Sequence, residues 1–119
     1  MKLRIHETSV RFRIRREEAE ELLRTGELRA ELPFYAQTGR LEGIFYYALK
    51  LGAEGAESAC HLEPFGITQV LSRREAEQLL QGDGAGVHWV RESTTEEGAS
   101  YRFESVVEID LEKHRGQKG

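Results

Sequence analysis

The stretch RREEAEELL at residues 15–23 returns as SRREAEQLL at residues 72–80, with Glu18 and Glu75 standing 57 positions apart. At that spacing Arg16, Glu18, Ala19, Glu20, Leu22 and Leu23 meet Arg73, Glu75, Ala76, Glu77, Leu79 and Leu80. Polar helices share such residues by chance, so the offset must also work elsewhere. Upstream, Leu3, Ile5, Val10 and Ile14 land on Cys60, Leu62, Ile67 and Leu71, all apolar. Downstream, QTGRLEG (37–43) lands on TTEEGAS (94–100), both with the composition of hairpin loops, and IFYYALKL (44–51) lands on YRFESVVE (101–108), both strand-like. Phe12 meeting Gln69 is the exception. Two copies are too few for a solenoid. The pattern predicts two similar halves about a pseudo-two-fold axis, each covering the other's apolar face.

Within the first half, KLRI and SVRFRI alternate as strands do, with Val10, Phe12 and Ile14 on one side and Arg11, Arg13 and Arg15 on the other. A helix is predicted over 16–25, its narrow stripe of Ala19, Leu22 and Leu23 suited to lying on a sheet, and Thr25-Gly26 ends it. ELRAELPFY reads as a strand with Leu28, Ala30 and Leu32 facing the core. IFYYALKL is apolar on both faces, which predicts a central or doubly covered strand. GAEGAES (52–58) is a linker. The second half repeats the plan: CHLE and GITQVL flank Pro64, Ser72 and Glu75 form a capping box, and the helix at 73–81 stops at Gly82. AGVHWVRE and SYRFESVVEIDLE close the half as strands. The fold class expected is α+β, an internal duplication of a ββαββ unit with mostly antiparallel sheet and two short helices. A single domain over 1–119 is expected, with halves at about 1–51 and 59–112 and a frayed tail at 113–119.

The chain has 119 residues, 39% of them hydrophobic, and a formal charge of −4. That length buries enough apolar surface to fold without disulfides or a structural metal. An acidic balance argues against non-specific nucleic-acid binding, although Lys2, Arg4, Arg11, Arg13, Arg15 and Arg16 leave a local basic patch near the start. Cys60 is the only cysteine, which suits a reducing cytoplasm. No apolar run approaches the roughly 20 residues of a membrane span, and the opening lacks a signal-peptide core. A soluble cytoplasmic protein is expected.

The opening MKLRIHETSVRFRIRREEAEEL, then TGEL and later YALKL, resembles a family of small uncharacterised bacterial proteins. Their members begin M-K-[IL]-R-I-x-x-x-S-[VI]-R-x-R-[IL], followed by a Glu-rich helix, T-G-x-[IVL] and a strand centred on Y-A-L. The matching residues are Met1 to Ile5, Ser9 to Arg11, Arg13, Ile14, Thr25, Gly26 and Tyr47 to Leu49. Arg15 stands where those proteins often have a hydroxyl cap. The resemblance implies bacterial origin and one compact domain of unknown function; it supplies no activity and no catalytic residues.

No Walker loop, G-x-G-x-x-G, C-x-x-C, H-E-x-x-H or G-x-S-x-G is present, so no catalytic residue is assigned. Three groups are candidates for binding. His6, His61 and Glu63 occupy related strands of the two halves and have the donor types to hold a divalent metal if the pseudo-axis brings them together. Arg4, Arg11, Arg13 and Arg15 would clamp phosphate or carboxylate from one strand face, or else pair with the acidic face of 104–112. Tyr46, Trp89 and Tyr101, from a larger aromatic group, are candidates for an interface such as a homodimer contact. Cys60 reads as a small buried hydrophobe and His88 as structural.

These observations favour a non-enzymatic binding or regulatory module acting through protein contacts, as a homodimer or with another protein, without a cofactor. The alternative is a small metal-dependent or anion-recognising enzyme with its site between the halves.

Overall fold

The computed structural model describes residues 1–82 and 86–110. Ten elements follow in order: β1 (Lys2–His6), β2 (Ser9–Ile14), α1 (Arg16–Thr25), β3 (Glu27–Tyr35), β4 (Leu41–Leu51), β5 (Ala59–Glu63), β6 (Gly66–Leu71), α2 (Arg73–Gln81), β7 (Val87–Thr94) and β8 (Ser100–Ile109). The fold is α+β, and each half is a ββαββ unit. The expected continuation of the last strand through Leu111 and Glu112, and the tail, lie outside the described residues.

The halves neither build separate sheets nor share one. They exchange hairpins. The first sheet has the order β1-β2-β8-β7 and the second β3-β4-β6-β5, so each joins the opening hairpin of one half to the closing hairpin of the other. Outer pairings are antiparallel, whereas the central pairs β2–β8 and β4–β6 are parallel.

The duplication is visible in individual bonds. Lys2 pairs with Arg13 as Ala59 pairs with Val70. Gly52 N–H donates to Leu71 O at 2.8 Å, and Asp110 N–H to Ile14 O at 2.7 Å. Between the helices, Arg16 Nη1 donates to Leu80 O at 2.8 Å and Arg73 Nη2 returns to Leu23 O at 3.5 Å. That reciprocal pair marks the pseudo-axis.

The 57-residue offset holds through the second helix and then drifts. Leu28 and Val87 occupy equivalent places 59 positions apart, and Ala48 and Val106 equivalent places 58 apart. The gain arises in the connection after α2. The loss arises at a register shift between Phe34 and Tyr35 that the β7–β8 hairpin lacks. Gly39 (φ 90°) and Gly98 (φ 89°) close the two hairpins at the same point, each in the left-handed region that glycine enters without Cβ strain.

Both helices begin with the glutamate at their third position accepting from the backbone N–H of the cap residue. Ser72 Oγ accepts from Glu75 N–H at 3.1 Å, and Glu75 Oε1 accepts from Ser72 N–H at 2.9 Å. At α1 only the second arm exists: Glu18 accepts from Arg15 N–H at 2.9 Å, because arginine has no acceptor to return. The other oxygen of Glu18 accepts from the Met1 ammonium at 2.7 Å. Ser58, 57 residues after Met1, donates its hydroxyl to Glu75.

The core gathers Val10, Phe12 and Ile14 from the first sheet, Leu49, Ile67 and Leu71 from the second, and Leu22 and Leu79 from the helices. Burying aliphatic and aromatic side chains of this size contributes about 1.5–3 kcal/mol each. Central strand β4 buries Ala48 and Leu49 on opposite faces, as its doubly apolar sequence requires. The halves differ at the exception noted in the sequence. Leu3, Phe12 and Tyr47 are replaced at the equivalent positions by Cys60, Gln69 and Ser105, and Ala30 by Trp89. Trp89 lies across from Ser105 where Ala30 lies across from Tyr47, so large and small side chains have changed places between facing strands. Gln69 is buried, with Nε2 donating to Ala59 O at 3.2 Å and Val70 O at 2.9 Å.

Candidate functional site

The outward face of the first sheet carries most of the expected arginine row. Strand alternation puts Arg4, Arg11 and Arg13 on that face, with Arg4 directly across from Arg11. Arg15 is not among them, because the strand ends at Ile14 and Arg15 is the residue before α1, its guanidinium 3.6 Å from Glu18. Strand β8 lies on the other side of β2, and Glu108 Oε1 accepts from Arg11 Nη1 at 2.6 Å and from Arg13 Nε at 3.3 Å. Lys2 Nζ stands 3.2 Å from Asp110. At the far edge, His88 Nδ1 is 2.9 Å from Glu104 Oε2, and the imidazole holds that carboxyl below its ordinary range. The face is a lattice of cross-strand ion pairs in which Arg4 alone of the three arginines makes no ion pair among the described residues.

His6 and the pair His61 and Glu63 sit on different sheets, His6 at the end of edge strand β1 and the others on edge strand β5. Among the described residues no group of three or more His, Cys, Asp or Glu side chains is arranged to hold a metal ion. Glu63 instead belongs to the outward face of the second sheet. Its Oε1 accepts from Thr68 Oγ1 at 3.1 Å, and its carboxylate also bonds the Tyr46 hydroxyl. These two bonds hold the Glu63 carboxyl below its ordinary range, while the Glu63 bond raises the Tyr46 phenol. The Tyr46 ring lies flat over Gly66, where a Cβ would meet ring atoms at 2.4 Å, and the Arg29 guanidinium stacks 4.0 Å from the ring centroid. Arg29 Nε in turn donates to Glu31 at 3.1 Å.

The three aromatic residues singled out in the sequence lie apart. Tyr46 is fixed on the second sheet as described. Trp89 is half-buried against the core, edge-to-face with Phe103 and beneath Arg91. Tyr101 borders a shallow open depression at the β7–β8 tip with Glu92, Ser93, Thr94, Ser100 and Arg102. Cys60 is buried, and burial pushes its thiol up, away from the nucleophilic thiolate.

A surface missed by residue-by-residue reading lies on the β3–β4 hairpin. Leu32, Phe34 and Tyr35 are 51%, 54% and 63% exposed, and Leu41 and Ile44 are exposed with them. The β5–β6 turn runs beside this hairpin, since Tyr46 N–H donates to Phe65 O at 3.0 Å, and it adds exposed Leu62 and Phe65. At the equivalent places the β7–β8 hairpin has Arg91, Ser93, Thr94, Ser100 and Arg102. The contrast lies between positions 59 apart on the first strands of the two hairpins and 59 or 58 apart on the second.

A family model, described as a family of unknown function (DUF7009), matches residues 1–113. The chain belongs to DUF7009. That span takes in both halves, so the duplication lies within the family's own unit. The chain matches no curated protein and no solved structure. No described helix is long and apolar enough to cross a membrane.

Proposed function

We propose that this DUF7009 chain is a non-enzymatic binding module that acts by protein contact through the β3–β4 hairpin and the adjoining β5–β6 turn. One observation carries the reading: at five equivalent places of two hairpins of common design the exposed side chains are apolar on one and polar on the other, and the second hairpin exposes only Val90 and Tyr101 among its large apolar side chains. Fold requirements act alike on both hairpins. The apolar set is therefore not needed to build such a hairpin, and it carries a solubility cost that a binding surface accounts for. The single buried cysteine suits the reducing cytoplasm in which such a module would work.

A photo-crosslinking amino acid placed at Phe34, and in a separate variant at Ser93, tests this in cells at native expression. Protein adducts at position 34 and none at 93 are expected. Equal labelling at both positions, or no protein adduct at 34, overturns the reading.

A further inference from the structure

Strand β3 is the edge of the second sheet, and its free hydrogen-bonding side is open only in the middle. Leu51 N–H donates to Gly26 O at 3.0 Å, which fixes the alternation: even-numbered residues of β3 bond β4, and odd-numbered ones point their N–H and C=O away from the sheet. At the start of the strand, Thr25 Oγ1 accepts from the outward N–H of Glu27 at 3.4 Å, and its hydroxyl proton is shared between Glu21 O at 2.9 Å and Glu27 O at 3.0 Å. Towards the other end Pro33 has no N–H, and the register shift after Phe34 ends the regular strand. The unclosed outward groups between these ends are those of Arg29 and Glu31, two residues of opposite charge.

We infer that a second copy of this chain adds to this edge in antiparallel fashion, with the two-fold axis at Ala30. Arg29 of each copy then faces Glu31 of the other, and both pairs exchange their N–H···O bonds. Leu32 comes opposite Leu28 of the other copy, and exposed Phe34 opposite the glycine turn at Gly26. Neighbouring registers fail on charge or bonding. Moving the axis to Arg29 or to Glu31 sets like charges opposite one another; moving it to Leu32 pairs Glu31 with the donorless Pro33; moving it to Leu28 sets Glu31 opposite Thr25, the last residue of α1, and leaves it without a strand partner. Edge strands normally resist addition by charge and proline. Here both devices leave one self-complementary window, and the inference rests on the protein-contact reading, to which it assigns a partner.

Sedimentation equilibrium of the full chain at tens of micromolar and low salt tests it. Arg29 and Glu31 are 44% and 50% exposed at their side chains, so charge reversal leaves the fold intact by circular dichroism. The wild type is expected to be dimeric. Arg29→Glu and Glu31→Arg should each weaken association at least about tenfold, since symmetry doubles every like-charge contact. An equimolar mixture of the two variants should associate again, because an all-acidic edge then meets an all-basic one. A monomeric wild type, or a dimer indifferent to both reversals, overturns the inference. If position 34 still crosslinks to a different protein, the contact reading survives that failure; if it crosslinks to none, both fall.

Discussion

Gly66→Ala is the most direct test of how the outward face of the second sheet is built. Gly66 is buried and pairs with Tyr46 across the parallel β4–β6 junction. The added methyl would stand 2.4 Å from Cε1 and Cζ of the ring, well inside van der Waals contact, so the ring must leave. It is held from the far side by Arg29 and at its hydroxyl by Glu63, and swinging out gives up both. Overpacking of this kind costs about 1–3 kcal/mol. Because the ring is half-buried and free to swing towards solvent, the lower part of that range is expected, about 1–2 kcal/mol, read as a lower urea midpoint at unchanged slope. In a Tyr46→Ala background the methyl meets no ring, and the same substitution should change stability by less than about 0.5 kcal/mol. The Tyr46 phenol, raised chiefly by its bond to Glu63, should titrate nearer its ordinary value of 10.0 in Gly66→Ala, followed by ultraviolet difference absorbance. Equal cost in both backgrounds would refute the steric account.

Phe12→Ala should cost about 3–5 kcal/mol, since Phe12 is fully buried, whereas Phe34→Ala should stay within about 0.5 kcal/mol by the same denaturation assay. Ser72→Ala, which removes the side-chain cap of α2, should cost about 1 kcal/mol, and Arg15→Ser should stabilise α1 by supplying the missing acceptor. At Glu18, partial burial raises the carboxyl, but the Arg15 N–H and the Met1 ammonium outweigh it, and the folded value lies below the ordinary 4.5. Its stabilisation is thus present above about pH 4.5 and is lost as pH falls through the lower folded value; thermal melts of Glu18→Gln against the wild type should converge at the acid end. Glu108→Ala removes the shared acceptor of Arg11 and Arg13 beside Arg4, and should cost about 0.5–1 kcal/mol at low salt and less in 1 M salt.

The sequence carried the elements well because their signals are local. Alternation set β2, the Ser72 and Glu75 box set α2, and Gly26 and Gly82 ended the helices where expected. The repeat carried the pseudo-symmetry for the same reason. Which hairpin pairs with which was not legible, because exchange of hairpins leaves every strand's apolar face unchanged; only the parallel junctions β2–β8 and β4–β6 distinguish it, and they join residues far apart in the chain. Among the candidate residues, the bonds of Arg11 and Arg13 to Glu108 follow from the acidic alternation of β8. The separation of His6 from His61 and Glu63 does not, since it depends on which sheet each hairpin entered. The apolar hairpin was hidden by composition, because Leu, Phe and Tyr look the same in a strand whether another layer covers them or not.

The exchange also bears on how the chain is made. Ser9 pairs with Glu104 and Ile14 with Ile109, so the first sheet cannot close until the chain as far as Ile109 has left the ribosome. Until then β2 displays Val10, Phe12 and Ile14 beside an unpaired edge, while the second sheet, whose central junction joins Tyr46 to Gly66, can already zip. Synthesis therefore has an order built in. The second sheet is the early scaffold, the first sheet is a late closure across the longest loop in the molecule, and the interval between them is when a chaperone would have the most to hold.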